Sequence, residues 1–162
     1  MSEAALAELA GPLRPLGLGE MARVLGGFCY VEERAFASLG ALSTTPGAGP
    51  RLRLWAAAAA RTHARRAGEL GALLPVSANL PGRSELVVSP GAVTEAWLGS
   101  LGEALARPSA QLREAVDKWY GVLAAAYEAR LASGHPTADG PFRLAVSRFC
   151  TSFGGIFEDL GG

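Results

Sequence analysis

The chain has 162 residues, of which 49% are hydrophobic, with 15 basic side chains balanced by 15 acidic ones. That length supports a single domain, residues 1–162, built on one core. The balanced charge excludes the global field that draws proteins to nucleic acid or anionic membranes, and Arg, Glu or Gly breaks every apolar run short of the ~20 residues a membrane span needs.

The opening MSEAALAELAGPLRP carries acidic residues and no basic n-region, so it does not read as a secretory signal, and a soluble cytoplasmic protein is expected. Residues 2–10 predict a short helix that stops at Gly11-Pro12, and the Gly- and Pro-rich stretch up to residue 19 predicts a linker. A first long helix is expected over 20–42, ended by STTPGAGP, and a second over 50–74, with Pro50 in its first turn and Pro75 as its stop. Residues 75–108 change character: VSANLPGRSELVVSPG is turn-rich with a brief extended ELVVS, and AVTEAWLGSLGEALA has the pattern of a short amphipathic helix. Ser109 is placed to cap a third long helix over 109–132. After SGHPTADGP a fourth covers 141–160, with Asp139 or Gly140 as its cap. There is no internal repeat and no alternation of the β kind.

Two helical hairpins with short loops, joined by the long connection 75–108, suit an all-α four-helix bundle with one long crossover containing a short helix, the connectivity of ferritin-like bundles. A plain up-down bundle would need only a short loop there.

Helical periodicity assigns the core. The first long helix turns Leu25, Phe28, Glu32, Phe36 and Leu39 inward and leaves Glu33 on the flank. The second contributes Leu52, Ala56, Ala59, His63, Ala67 or Arg66, Leu70 and Leu74; the third Leu112, Val116, Trp119, Leu123, Ala126 and Arg130. The fourth contributes Phe142, Val146, Phe149, Phe153, Ile156 and Leu160, with no ionisable member. One carboxylate and one imidazole thus fall in the core, with Arg66 and Arg130 near its edge. A buried glutamate is costly unless paired, so a Glu32–His63 hydrogen bond or ion pair is expected. Such a pair serves equally as a polar contact that fixes helix register or as part of a small ligand pocket between helices.

The stretches GGFCYVEERAFASLG, LWAAAAARTHARRAGELGALLP and HPTADGPFRLAVSRF together resemble a family of intracellular ferritin-like domains, over roughly residues 20–160. The resemblance implies the ferritin-like bundle and invites comparison with its di-iron members. These use a glutamate from each of two helices and a Glu-x-x-His from each of the other two. On that pattern Glu32 takes the place of the first-helix glutamate and His63 that of the second-helix histidine. The motif's glutamate falls at Ala60, and the last helix offers neither a histidine nor a core-facing carboxylate. No metal or other cofactor, and no catalytic residue, is therefore expected, with Glu32 and His63 as residual metal candidates.

Other features carry less. His135 sits in a Gly- and Pro-flanked turn and reads as exposed. Cys29 and Cys150 form no CxxC pattern and read as small buried thiols. One lysine, Lys118, against fourteen arginines reflects GC-rich coding as much as chemistry. Arg51, Arg53, Arg61, Arg65 and Arg66 spread around the second helix, and Glu69 stands ready to pair with Arg65 or Arg66. Trp55, Trp97 and Trp119 have core or seam positions and do not interleave with the arginines, which disfavours base stacking.

The expected function is a non-catalytic binding or interaction module, homodimeric through alanine-, glycine- and tryptophan-bearing faces, with an unspecified small-molecule or protein partner and no membrane. The alternative is a ferritin-like iron-dependent oxidase or hydroxylase using Glu32 and His63. A nucleic-acid-associated helical protein is the weaker one.

Overall fold

The computed structural model describes residues 2–107, 111–135, 137 and 139–152. Among them the chain is all-α, with seven helices and no strand. They are α1 (Ser2–Ala10), α2 (Leu18–Ser43), α3 (Pro50–Ala72), α4 (Arg83–Leu86), α5 (Ala92–Ala106), α6 (Leu112–Ser133) and α7 (Gly140–Ser152). Among the described residues no helix is long and apolar enough to cross a membrane.

Local chemistry sets the boundaries. Helix α2 starts at Leu18, two residues before the expected Glu20, because the Glu20 carboxylate reaches back to accept from the Gly17 backbone N–H at 3.1 Å. Arg14 clamps the same carboxylate, at 2.6 Å, and holds its pKa down to about 2. Helix α3 begins on Pro50, whose missing N–H costs nothing in a first turn. It closes at Ala72 rather than Leu74, as the N–H groups of Leu73 and Leu74 donate three residues back, to Leu70 and Gly71. The stretch expected to be extended, ELVVS, is instead a one-turn helix followed by bends. Glu85 accepts from the Gly82 N–H at 3.4 Å, and Leu86 is buried, so the segment curls into the fold instead of pairing as a strand. The proposed cap at Ser109 and the last core positions Phe153, Ile156 and Leu160 lie outside the described residues.

Helices α2 and α3 form the most extensive contact in the fold and run antiparallel: Cys29 meets Ala67, Glu32 meets His63, and Arg53 donates to the Ser43 carbonyl. Helices α6 and α7 are a second antiparallel pair, with Arg143 donating to the Leu131 carbonyl at 2.6 Å and Phe149 against Tyr127. Between the pairs, α5 carries the chain alongside the C-terminal part of α2, from the level of Gly27 to that of Leu42. Pro90 lies on Gly27, Glu95 bonds Tyr30, and Leu105 approaches Leu42. Helix α6 then descends antiparallel to α2, its Arg130 ending beside Pro12 and Arg14.

Two glycines let the crossover lie down on α2. A methyl group at Gly26 would run into the Leu86 carbonyl, and one at Gly27 would come within 2.8 Å of the Pro90 ring. Side chains at either position would lift the 86–90 segment and uncover Leu86.

Helix α1 is more than a preface to a linker. Ala5, Leu9 and Ala10 are buried where it packs on α5 and α6. Gly11, at φ 66°, ends it in the left-handed conformation that glycine adopts without strain. Glu8 caps α5 from a distance, accepting from both the backbone N–H and the hydroxyl of Thr94 at 2.6 Å. The Thr94 hydroxyl is the main cause holding the Glu8 carboxyl below its ordinary range; partial burial opposes it.

Most expected core positions are buried, including all three tryptophans. Leu52 is only partly buried, and Phe36 is 46% exposed. The buried face of α2 passes through Val31, Glu32, Ala35 and Leu39 and leaves Phe36 one step outside it.

Replacing Gly26 by alanine is expected to cost about 1–3 kcal/mol, as overpacking against backbone does. Gly40→Ala, in the same helix with nothing within 4 Å, should be neutral or stabilising. Urea denaturation of both variants checks the contrast.

Candidate functional site

Four polar side chains from three helices meet in the core. Glu32 comes from the middle of α2, His63 from the middle of α3, and Tyr120 and Tyr127 from α6. Glu32 and His63 are fully buried, and the tyrosines are at most 4% exposed. The contacts form a linear chain. The Tyr127 hydroxyl donates to Glu32 Oε1 at 2.7 Å, Glu32 Oε2 meets His63 Nδ1 at 2.5 Å, and His63 Nε2 meets the Tyr120 hydroxyl at 2.7 Å. Every donor finds an acceptor when Glu32 is a carboxylate and His63 is neutral with its proton on Nδ1. Tyr120 then donates to Nε2, and both carboxylate oxygens receive a hydrogen bond.

Aromatic rings enclose this chain. Phe28 stacks on Tyr127 with centroids 4.3 Å apart, and Phe149 meets Tyr127 edge-on at 5.8 Å. His63 stacks on Tyr120 at 5.5 Å and presents an edge to Trp119 at 5.9 Å. Trp119 in turn stacks on Trp97 of the crossover helix, at 4.6 Å and 5° between planes. Small residues allow the helices to approach: Ala56, Ala59, Ala60 and Ala67 on α3 are all buried. Burial, followed by the nearby Glu32 carboxylate, pushes the Tyr120 phenol far above its ordinary pKa, and the Arg66 guanidinium partly offsets this.

The two arginines assigned to the core edge part company. Arg66 is fully buried, with its guanidinium 5.3 Å from the centre of the Phe149 ring and Nη2 donating to the Phe149 carbonyl at 3.3 Å. It lies within electrostatic reach of the polar chain. Arg130 does not join the site. Its Nη1 and Nη2 donate to the carbonyls of Pro12 and Arg14, at 2.7 and 2.6 Å, and tie the end of α6 to the segment between α1 and α2. The apolar stripe carries Arg130 inward, but its long stem delivers the charge to backbone at the end of the fold.

Sequence reasoning missed Tyr120 and Tyr127. They stand seven residues apart, one position beyond Trp119 and Ala126, on a second inward column that widens the buried face of α6. That heptad spacing was the available signal.

Among the described residues no three His, Cys, Asp or Glu side chains come together. The place where a Glu-x-x-His motif needs its carboxylate holds buried Ala60. The neighbours of Glu32 and His63 are phenols and aromatic rings, a donor set that does not fit a di-iron centre. Cys29 is also buried, with Glu33 and Arg83 on its outer side, and burial pushes its thiol up to about 11. The Cys150 side chain lies outside the description. His135 is exposed, as its turn suggested.

Comparison of the chain with protein-family models, with curated proteins and with solved structures gives no match.

Glu32→Ala and His63→Ala should each cost about 3–5 kcal/mol, because each strands a buried polar partner, and Tyr127→Phe about 1–3 kcal/mol. The joint replacement of Glu32 and His63 by leucine should cost much less than the sum of the two single leucine replacements. A double-mutant cycle in denaturant measures this, and additivity would show that the two side chains do not interact.

Proposed function

We propose that the protein is a non-catalytic binding or interaction module on a ferritin-like four-helix scaffold, with a hydrogen-bonded polar core where related bundles hold metal. The observation that carries this reading is that both carboxylate oxygens of Glu32 and both ring nitrogens of His63 already have a protein partner. Such a network, held from three helices, fixes their register, a role for which buried polar groups are retained elsewhere. The scaffold assignment is supported by the antiparallel pairs and the long crossover that runs beside α2. Function then resides on the surface of the bundle, and a cytoplasmic location belongs to the same reading.

The alternative is an iron-dependent oxidase or hydroxylase built on Glu32 and His63. It would require both residues to give up their present partners. A nucleic-acid role is weaker still, since Arg65 lies 3.8 Å from Glu69 and Arg66 points inward. Anaerobic loading with ferrous iron and elemental analysis decides between the first two. We expect no stoichiometric iron; one or two iron ions per chain, lost on Glu32→Ala or His63→Ala, would overturn the binding-module reading in favour of the enzyme.

A homodimer is part of the proposal, on different residues from those the sequence suggested. The tryptophans are buried within the protomer, and the large apolar side chains exposed on the long helices of the described residues include Phe36, Leu54 and Leu144, at 46%, 73% and 59%. Sedimentation should show a dimer at micromolar concentration, weakened by Leu54→Glu. A monomer would remove this part of the proposal.

A further inference from the structure

A phenol can lose an electron inside a protein only if its proton has somewhere to go, because a phenol radical cation in a low-dielectric core is severely penalised. The chain has three tyrosines. Tyr30 faces Glu95 and Tyr127 donates directly to Glu32. Tyr120 differs from both: its hydroxyl meets an imidazole whose other nitrogen meets a carboxylate, at 2.7 and 2.5 Å. Each proton in that relay needs to cross a single hydrogen bond. Trp119 touches the Tyr120 ring edge-on at 5.2 Å and stacks on Trp97, so three oxidisable rings stand in contact from α5 to the polar chain.

We infer that Tyr120 is a proton-coupled redox site, giving one electron to an outer-sphere one-electron oxidant and becoming a neutral tyrosyl radical held in the core. The electron leaves through the Trp119–Trp97 stack to the oxidant. The Tyr120 O–H bond breaks as an N–H bond forms at His63 Nε2, and the Nδ1 proton passes to Glu32 Oε2. His63 is neutral before and after, the carboxylate becomes a carboxylic acid, and no proton leaves the protein. A one-electron reductant reverses each step. The burial that raises the Tyr120 pKa keeps solvent reductants and other radicals away from the phenoxyl oxygen. This inference goes beyond the binding-module reading and does not need it.

The test is flash oxidation of the whole protein by a photogenerated ruthenium(III) polypyridyl complex, read by transient absorption and electron paramagnetic resonance. A persistent neutral tyrosyl signal is expected in the wild type, retained in Tyr30→Phe and lost in Tyr120→Phe. Its formation should slow in D2O and in Trp119→Phe. A ring-fluorinated tyrosine at position 120, which preserves the packing, should change the hyperfine pattern and so assigns the radical even if Tyr120→Phe folds poorly. A wild-type signal that survives Tyr120→Phe, a pattern unchanged by the fluorinated ring, or only short-lived tryptophan radicals would overturn the inference.

Discussion

A carboxylate sealed from water must find its hydrogen-bond donors within the protein, and the arrangement of helices around Glu32 follows from that requirement. The donors come from His63 on α3 and Tyr127 on α6, so one side chain of α2 fixes the height of two neighbouring helices at once. Displacing α3 by one residue would swing His63 out of reach by about 100°; sliding α6 by a turn would separate Tyr127 from Glu32 and Tyr120 from His63. Hydrophobic contacts among alanines and leucines tolerate such shifts far better. The polar chain therefore selects one register from the several that the apolar stripes would allow.

The second constraint is the crossover. A long connection can reach from the end of α3 to the start of α6 by many routes, and the Gly26–Gly27 step decides which is used. The backbone of 86–90 lies directly on α2 there, and Arg83 sits over Gly71 with its guanidinium near Glu33 and Cys29. From that anchor α5 runs along the C-terminal part of α2, which brings Trp97 against Trp119, next to Tyr120. The aromatic enclosure of the site and the route of the connection share one cause.

Periodicity and punctuation made much of this legible. Over the described residues, proline at 50 and 75, glycine at 11, and the i, i+3, i+7 spacing of large residues locate the long helices to within a few residues, and they put Glu32 and His63 on facing stripes. Besides the exposure of Phe36, three things escaped. Tyr120 and Tyr127 stand beside the chosen stripe, because a stripe with one residue per turn undercounts the buried face of a helix covered on several sides. The helical turn at 83–86 was hidden by β-branched residues, whose local preference yields to the tertiary contact of Leu86 with α2. The destination of the Arg130 charge depends on how far a flexible side chain reaches, and no pattern along the chain encodes that.

The partners of the buried pair also fix an order of events during synthesis. Glu32 and His63 lie on a hairpin that is complete once residue 72 has emerged from the ribosome, but the hydroxyls that satisfy them arrive 57 and 95 residues further along the chain from their partners. Until α6 has been made, the nascent hairpin carries a carboxylate and an imidazole on its apolar face, each short of a hydrogen bond. That half-finished surface is poorly suited to closing on a second hairpin of its own kind, since two such faces would bury four unsatisfied groups together. The same residues that fix the register of the finished fold thus disfavour a premature encounter between unfinished copies.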